Sequence, residues 1–397
     1  MRHTRPTFFG HLSIGHLLVA VSISFYSCGK SPTMQPDDAS SMDGPMEQKP
    51  CEPLFPFAEP ILLSDTSGKP LHPYGVVSDP MVITSDRGYR MWFTATDWAD
   101  DDPVFDGGAS KLGIAYATST DGIEWSNSNY SPEPGRQITL QLEPQSWYAA
   151  GVETASVVAR PGEDFLLFYT GDKPPEGLSY AIGIATSHNG TDWLMPTAPS
   201  VVPENDWEMP VCLNPPTCSS MIGGILEPTA IFDSQMGMYR LWYAALGVLE
   251  GRFAYRMGYA VSSDGVNWEK SLHPVFEPGE SGAWDDEIVS HFSVSKDASG
   301  LLHLFYFGSS ATQTCTDCAF TPGSIGYATS QDGIEWTRYP QNPVIRAGEP
   351  GQPYLVGGPS TIFEDGHLRL WFFDSDSLED ANRFSLHLRS TVVSCAP

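Results

Sequence analysis

Residues 89–125 read YRMWFTATDWADDDPVFDGGASKLGIAYATSTDGIEW. An apolar-aromatic run comes first, then a polar loop, a second apolar run, and an Asp-Gly pair with Trp three residues beyond the Gly. The same order returns down the chain. FLLFYTG from Phe165 leads to IGIATSHNGTDW, YRLWYAA from Tyr239 to MGYAVSSDGVNW, and LHLFYFG from Leu302 to IGYATSQDGIEW. A fifth run, LRLWFFD from Leu368, is followed by FSLHLRSTVV and no such turn. Ahead of each lies another β-prone run: SDPMVI, ETASVV, EPTAIF, SHFSVS and GPSTIF. A repeat of this kind fixes the architecture before any single element does.

Each unit therefore reads strand A, strand B, strand C, tight turn, strand D. The pairs Asp121-Gly122, Asn189-Gly190, Asp264-Gly265 and Asp332-Gly333 are hairpin signals, with both central positions expected at φ > 0. Trp125, Trp193, Trp268 and Trp336, one after each turn, are expected to pack between units. Short antiparallel sheets repeated about an axis make an all-β, five-bladed β-propeller, with four antiparallel strands to a blade. It would occupy residues 51–397 as one domain. The fifth unit lacks its outer strand. Glu59-Pro60-Ile61-Leu62-Leu63 resembles the outer-strand ends His273-Pro274-Val275-Phe276 and Asn342-Pro343-Val344-Ile345, so an N-terminal strand is expected to complete blade five.

The 397 residues carry 21 Lys plus Arg against 48 Asp plus Glu, a net charge of −27. Such a balance repels nucleic acid and anionic membrane surfaces. No glycine-rich phosphate cradle, serine nucleophile elbow or metalloprotease helix motif occurs. Arg2 and Arg5 give a basic start, and Leu17 to Ile23 form an apolar run too short to span a bilayer. Phe25-Tyr26-Ser27-Cys28 resembles a bacterial lipoprotein box. Residues 1–27 then read as a signal peptide, Cys28 as the lipidated first residue, and 28–50 as a disordered tether rich in Pro, Ser and Asp. The expected location is the bacterial outer membrane through the lipid alone, since Gly29 rather than Asp follows Cys28; simple secretion is the alternative. Six further cysteines suit an oxidising compartment. Their neighbours suggest Cys212 with Cys218 and Cys315 with Cys318, leaving Cys51 with Cys395. A metal at Cys315/Cys318 is the alternative, though no second CxxC accompanies it.

Aligned on the B strands, the residues opening the A strands are Asp79, Glu153, Glu227, His291 and Gly358. They should converge at the axis. Three carboxylates from three blades in one place are costly unless they share protons, bind a cation or do chemistry. The plain alternative is that Asp79 and Glu227, each followed by Pro, simply start strands.

The blade pattern and these acids resemble the five-bladed propeller glycosidases of glycoside hydrolase family 43 and the related families 32, 62 and 68, over nearly all of residues 53–395. The resemblance implies Asp79, in SDPMVI, as general base and Glu227, in EPTAIF, as general acid. Glu153 stands where the family usually has an Asp that orients the acid, and Glu-Pro stands where it usually has Glu-Gly-Pro. The implied reaction is inverting hydrolysis of arabinoside-, xyloside- or fructoside-like bonds, which sets the two carboxyls about 6.5–9.5 Å apart. His291 is expected to hydrogen-bond in the pocket. Trp98, Trp147, Tyr148, Trp284 and Tyr354 lie in loops of the same face and are candidate sugar platforms. No cofactor is required; a structural calcium in the Asp97–Asp106 loop is possible, against a solvated acidic loop. A monomer acting on carbohydrate is the first reading, a non-catalytic carbohydrate-binding or scaffold propeller the second.

Overall fold

The structure is a computed structural model. It describes residues 53–54, 59–65, 77–97, 111–128, 146–149, 151–159, 164–172, 177–213, 215–218, 221–310, 323–347, 355–364, 367–375 and 387–395. The signal peptide, Cys28, the tether, Cys51, Cys315 and Cys318 lie outside the described residues. Among the described residues the regular elements are β-strands and one 3-10 turn, Asp206–Glu208, and no helix is long and apolar enough to cross a membrane.

Three short strands come first: β1 (Pro53–Leu54), β2 (Glu59–Pro60) and β3 (Leu62–Asp65). Antiparallel meanders follow. The first is β4 (Val77–Ser85), β5 (Gly88–Asp97), β6 (Lys111–Ser119) and β7 (Glu124–Ser128). The second is β8 (Gly151–Ala159), β9 (Phe165–Asp172) and β10 (Gly177–Ser187), where isolated bridges from Leu194 and Val201 replace an outer strand. Next, β11 (Val211–Cys212) edges β12 (Met221–Asp233), which pairs with β13 (Met238–Leu249), then β14 (Arg252–Ser262) and β15 (Glu269–Lys270). Then come β16 (Ile288–Lys296), β17 (Leu302–Ser309), β18 (Ser324–Ser330) and β19 (Thr337–Arg338). Last are β20 (Leu355–Glu364), β21 (His367–Ser375) and β22 (His387–Cys395).

The N-terminal strands pair with β22, Pro53 opposite Cys395 and Glu59 opposite Ser390. The segment then continues past the last meander: β3 runs parallel to β7 of the first, with Leu62 opposite Glu124. Cys212 is joined to Cys218, as the sequence suggested.

Apolar clusters fill the spaces between successive meanders. Trp92 and Ile114 pack with Val152 and Tyr169, Phe168 with Leu241 and Tyr243, Trp242 with Phe292 and Leu304, and Phe305 with Val356 and Phe372. One cluster joins the last meander to the first, setting Trp371 and Phe373 against Met91 and Trp125. The turn tryptophans pack across these spaces, Trp193 edge-on to Trp92, Trp268 to Phe168 and Trp336 to Trp242.

The turns depart from the expected hairpin type. Only their glycines take positive φ, 75° to 80°; the Asp or Asn before each does not. The side chains explain this. Asp121 Oδ1 accepts the N–H groups of Ile123 (2.8 Å) and Glu124 (2.9 Å), and Ser119 Oγ accepts that of Gly122 (2.7 Å). The same arrangement returns at Asn189, Asp264 and Asp332. An Asx-type cap thus replaces the second left-handed residue.

Candidate active site

Each first strand carries a β-bulge at the point expected to open it. The ladders skip between Ser78 and Met81, Glu153 and Ser156, Leu226 and Thr229, Ser290 and Ser293, and Gly357 and Ser360. A bulge leaves two residues off the ladder and re-aims a side chain. The second of the two needs no ladder N–H, which is why Pro80, Pro228 and Pro359 are tolerated there. The first is in the left-handed region: Asp79 (φ 49°), Thr154 (51°), Glu227 (52°), His291 (44°) and Gly358 (55°). Gly358 has no alternative, because a Cβ there would lie 2.9 Å from Asp79 Oδ1 and closer still to the Phe373 ring.

This register corrects the sequence alignment in the second meander. Thr154, not Glu153, is the counterpart of Asp79 and Glu227. Glu153 falls one residue earlier, level with Ser78 and Leu226, because its partner across the ladder is Thr170. It is nevertheless buried near the site, and its charge is felt by His291.

The bulges face one cavity of about 40 Å³, lined by Asp79, Thr154, Ser156, Glu227, Thr229, His291, Ser293 and Gly358. That is room for roughly three waters, too small to enclose anything larger. Asp79, Glu227 and His291 are 8%, 3% and 7% exposed. Side-chain hydroxyls hold the bulges from one meander to the next: Thr94 Oγ1 accepts the Thr154 N–H (3.0 Å) and Thr170 Oγ1 that of Glu227 (2.8 Å). One level deeper, Ser156 Oγ accepts the Ala230 N–H, Ser293 Oγ that of Thr361, and Ser360 Oγ that of Val82.

His291 lies between the two acids. Its Nε2 is 3.2 Å from Asp79 Oδ1 and its Nδ1 is 3.3 Å from Glu227 Oε1. Its backbone N–H donates to Glu227 Oε2 at 2.7 Å. Ser78 Oγ donates to Asp79 Oδ2 at 2.8 Å, while Oδ1 receives no well-aligned hydrogen bond from the described residues. Phe307 and Phe373 flank the imidazole edge-on. Burial disfavours the imidazolium, yet the charges of Glu227, Asp79 and Glu153 more than offset it, and His291 is pushed up to about 9. Burial likewise acts against the Asp79 carboxylate, but the contact and charge of His291, with hydrogen bonds from Ser78 and Thr94, hold its pKa below the ordinary value. At neutral pH His291 is therefore an imidazolium paired with the Asp79 carboxylate, with Glu227 on its other side. Among the described residues no cluster of side chains is set to hold a metal ion.

Two residues escaped the sequence reading. The phenols of Tyr180 and Tyr255 are raised well out of the ordinary range, first by burial and then by nearby acids: Asp172, Glu153 and Glu227 act on Tyr180, Glu227 and Glu153 on Tyr255. Both rings thus back the site as neutral groups. Their positions near the starts of the third strands of neighbouring meanders gave no signal in the sequence. The candidate sugar platforms fare differently. Tyr148 is buried. Trp147 stacks on Tyr169, its ring centroid 5.8 Å away, and Trp284 leans on Tyr306 at 5.7 Å, so each has one face covered by protein. Trp98, Tyr354 and the acidic loop after Asp97 lie outside the described residues.

No protein-family profile and no curated protein matches the sequence. Solved structures do match in fold. A glycoside hydrolase superposes with a TM-score of 0.62 at 14% identity, over 86% of this chain and 92% of that one. A thermostable family-43 glycoside hydrolase gives 0.56 at 15%, over 84% and 98%. An N-acetylgalactosamine deacetylase from F. plautii, in complex with blood group B trisaccharide, gives 0.54 at 15%, over 85% and 95%. The chain therefore has the β-propeller-like fold of these carbohydrate-active proteins. The deacetylase among them is a reminder that a fold alone does not select the reaction.

Proposed function

We propose that the chain is a five-bladed propeller, closed by its N-terminal segment, that works as an exported glycoside hydrolase of the inverting kind. The observation that carries the reaction is the placement of Asp79 and Glu227, from two different meanders, on one buried cavity with a single imidazole between them. Asp79 is the general base: its pKa is held below the ordinary value, so its carboxylate is ionised at neutral pH, and the residue lines the cavity. Glu227 is the general acid, donating to the leaving glycosidic oxygen from the other side of the sugar. Glu153 adds negative charge that helps keep His291 cationic. Five-fold closure is supported by the hydrogen bond from the Val82 N–H to Ser360 Oγ and by the cluster joining Trp371 to Trp125. The substrate class is a poly- or oligosaccharide with arabinoside-, xyloside- or fructoside-like bonds. On this reading the N-terminal segment is an export signal and Cys28 carries a lipid anchor, with simple secretion the alternative, and Cys51 is bonded to Cys395 beside the closing strands.

The test is a screen of aryl glycosides and polysaccharides with wild type, Asp79→Asn and Glu227→Gln. Each variant should lose about 10²- to 10⁴-fold in kcat while keeping glycan binding. A second reading, a carbohydrate-binding scaffold, draws on the same imidazole, which fills the gap a catalytic water would use. Glycan binding by wild type with no turnover on any substrate would decide for it.

A further inference from the structure

We propose that Thr94 and Thr170 are positioning residues of the site, fixing from one meander to the next where the carboxyls of Asp79 and Glu227 stand; this rests on the hydrolase reading above. The second strands carry the first observation. The ladder residues just before the five bulges are Ser78, Glu153, Leu226, Ser290 and Gly357. Facing them across the ladder, in order, are Thr94, Thr170, Ala244, Phe307 and Phe373. One structural position thus carries a hydroxyl in the first two meanders, a methyl in the third and an aromatic ring in the last two. The two rings flank His291. The two hydroxyls hold the acid side of the site.

A bulge residue is off its own ladder, so its buried N–H needs an acceptor elsewhere. In the second meander that acceptor is Thr94 Oγ1, 3.0 Å from the Thr154 nitrogen. In the third it is Thr170 Oγ1, 2.8 Å from the Glu227 nitrogen. At the next step the equivalent residue is Ala244, which has no hydroxyl, and Glu227 Oε2 itself accepts the His291 N–H at 2.7 Å. The hydroxyls make further contacts. Thr170 Oγ1 lies 2.5 Å from Thr154 Oγ1, and the Thr94 hydroxyl, with that of Ser78, favours the Asp79 carboxylate. Contacts therefore run across four meanders, from Thr94 beside Asp79 to Thr154, from Thr170 to Glu227, and from Glu227 to His291. Thr94 and Thr170 are 1% and 0% exposed, so water has no ready access to replace a lost hydroxyl. Neither lines the cavity. Both act through the residues they hold.

Valine and serine separate the two things a threonine brings. Thr170→Val keeps the branched shape and removes the acceptor of the Glu227 N–H; Thr170→Ser keeps the acceptor and removes a methyl. On a glycoside that the wild type cleaves, Thr170→Val should lower kcat about 10- to 100-fold with KM within about twofold. Thr170→Ser should stay within about threefold of wild type in both. Thr94→Val should move the acid limb of the kcat/KM profile to higher pH, because a contact favouring the charged form of Asp79 is lost. Thr94→Ser should leave that limb in place. The other groups acting on Asp79, Ser78 and His291, are the same in both variants. Serine variants as impaired as the valine ones would assign the role to packing and overturn the proposal while leaving the hydrolase standing; so would valine variants with wild-type rates and profiles. No turnover by wild type on any glycan removes the hydrolase reading instead. The positioning role is then decided without substrate, by ¹³C NMR titration of the Asp79 carboxyl. Its pKa should rise in Thr94→Val and hold in Thr94→Ser, and one value in all three proteins overturns the proposal.

Discussion

At the scale of single residues, the site is built from conformations that side chains other than glycine avoid. Asp79, Thr154, Glu227 and His291 all hold φ near +50°, at about 1 kcal/mol or more each. The ion pairs and inter-strand hydrogen bonds around them offset that cost. The pH dependence follows from the direction of the shifts. His291 is raised from 6.5 to about 9 in the folded protein. Its contribution is therefore complete below pH 6.5 and is lost as pH climbs through 9. Asp79 is depressed, so its share is present above pH 3.8 and lost on acidification. The two shifts largely describe one contact and count once. The His291 shift is worth on the order of 3 kcal/mol. Urea unfolding of wild type should weaken by about that amount between pH 6.5 and 9.5, and His291→Gln should show a flatter profile over that range. Parallel profiles would mean the imidazole is not held by these acids. The acids were legible in the sequence because Asp-Pro and Glu-Pro mark a bulge in an otherwise apolar strand. Glu153 misled because an alignment on the B strands follows the chain alone, whereas bulge register is set residue by residue against the neighbouring strand, where Thr170 sits opposite. That His291 falls between Asp79 and Glu227 depends on contacts between meanders and leaves no trace in spacing.

At the scale of elements, the turns and second strands interlock. Trp92 Nε1 donates to Gly190 O, Trp242 to Gly333 O and Trp371 to Gly122 O, at 2.8–2.9 Å. Two residues before each, Arg90, Arg240 and Arg369 reach the carbonyl preceding that glycine. The Arg-x-Trp pattern was plainly repeated in the sequence. Its meaning was not, because the carbonyls it meets are 98, 91 and 249 residues away. The turn tryptophans differ: the indole nitrogens of Trp193, Trp268 and Trp336 have no hydrogen-bond partner among the described residues. Trp242 and Trp336 touch each other, 6.3 Å apart at an edge-on angle, and so share one environment. Trp242→Phe strands the buried Gly333 carbonyl and should cost about 1–3 kcal/mol beyond the lost packing. Trp336→Phe removes an unpaired donor and should cost less. Urea midpoints of the two variants, measured side by side, decide it; equal losses would assign the stabilisation to packing alone.

At the scale of the whole molecule, the first and last meanders are joined at several depths. Near the site the Val82 N–H meets Ser360 Oγ, 278 residues away in sequence. Further out Trp371 and Arg369 clasp the Asp121-Gly122 turn. Outermost, β1 and β2 cover the edge of β22 while β3 lies along β7. The sequence pointed to the pairing with the last unit through the likeness of residues 59–63 to other outer strands. It did not point to β3 on β7, since a parallel strand added at an edge needs no pattern of its own. The consequence is mechanical. Asp79 belongs to the first meander, Glu227 to the third and His291 to the fourth, so the site exists only while the meanders hold their order around the cavity. Removing the strap exposes the edge of β22, a template for unwanted pairing, and frees the first meander from the last. A chain beginning at residue 51 should keep the thermal midpoint of the full protein. One beginning at residue 67 should unfold several degrees lower, associate through its open edge, and lose turnover over the same temperatures at which it unfolds. Calorimetry with light scattering on the two truncations checks this. A common midpoint for both would show that the inner contacts alone close the molecule and that the strap adds nothing to its stability.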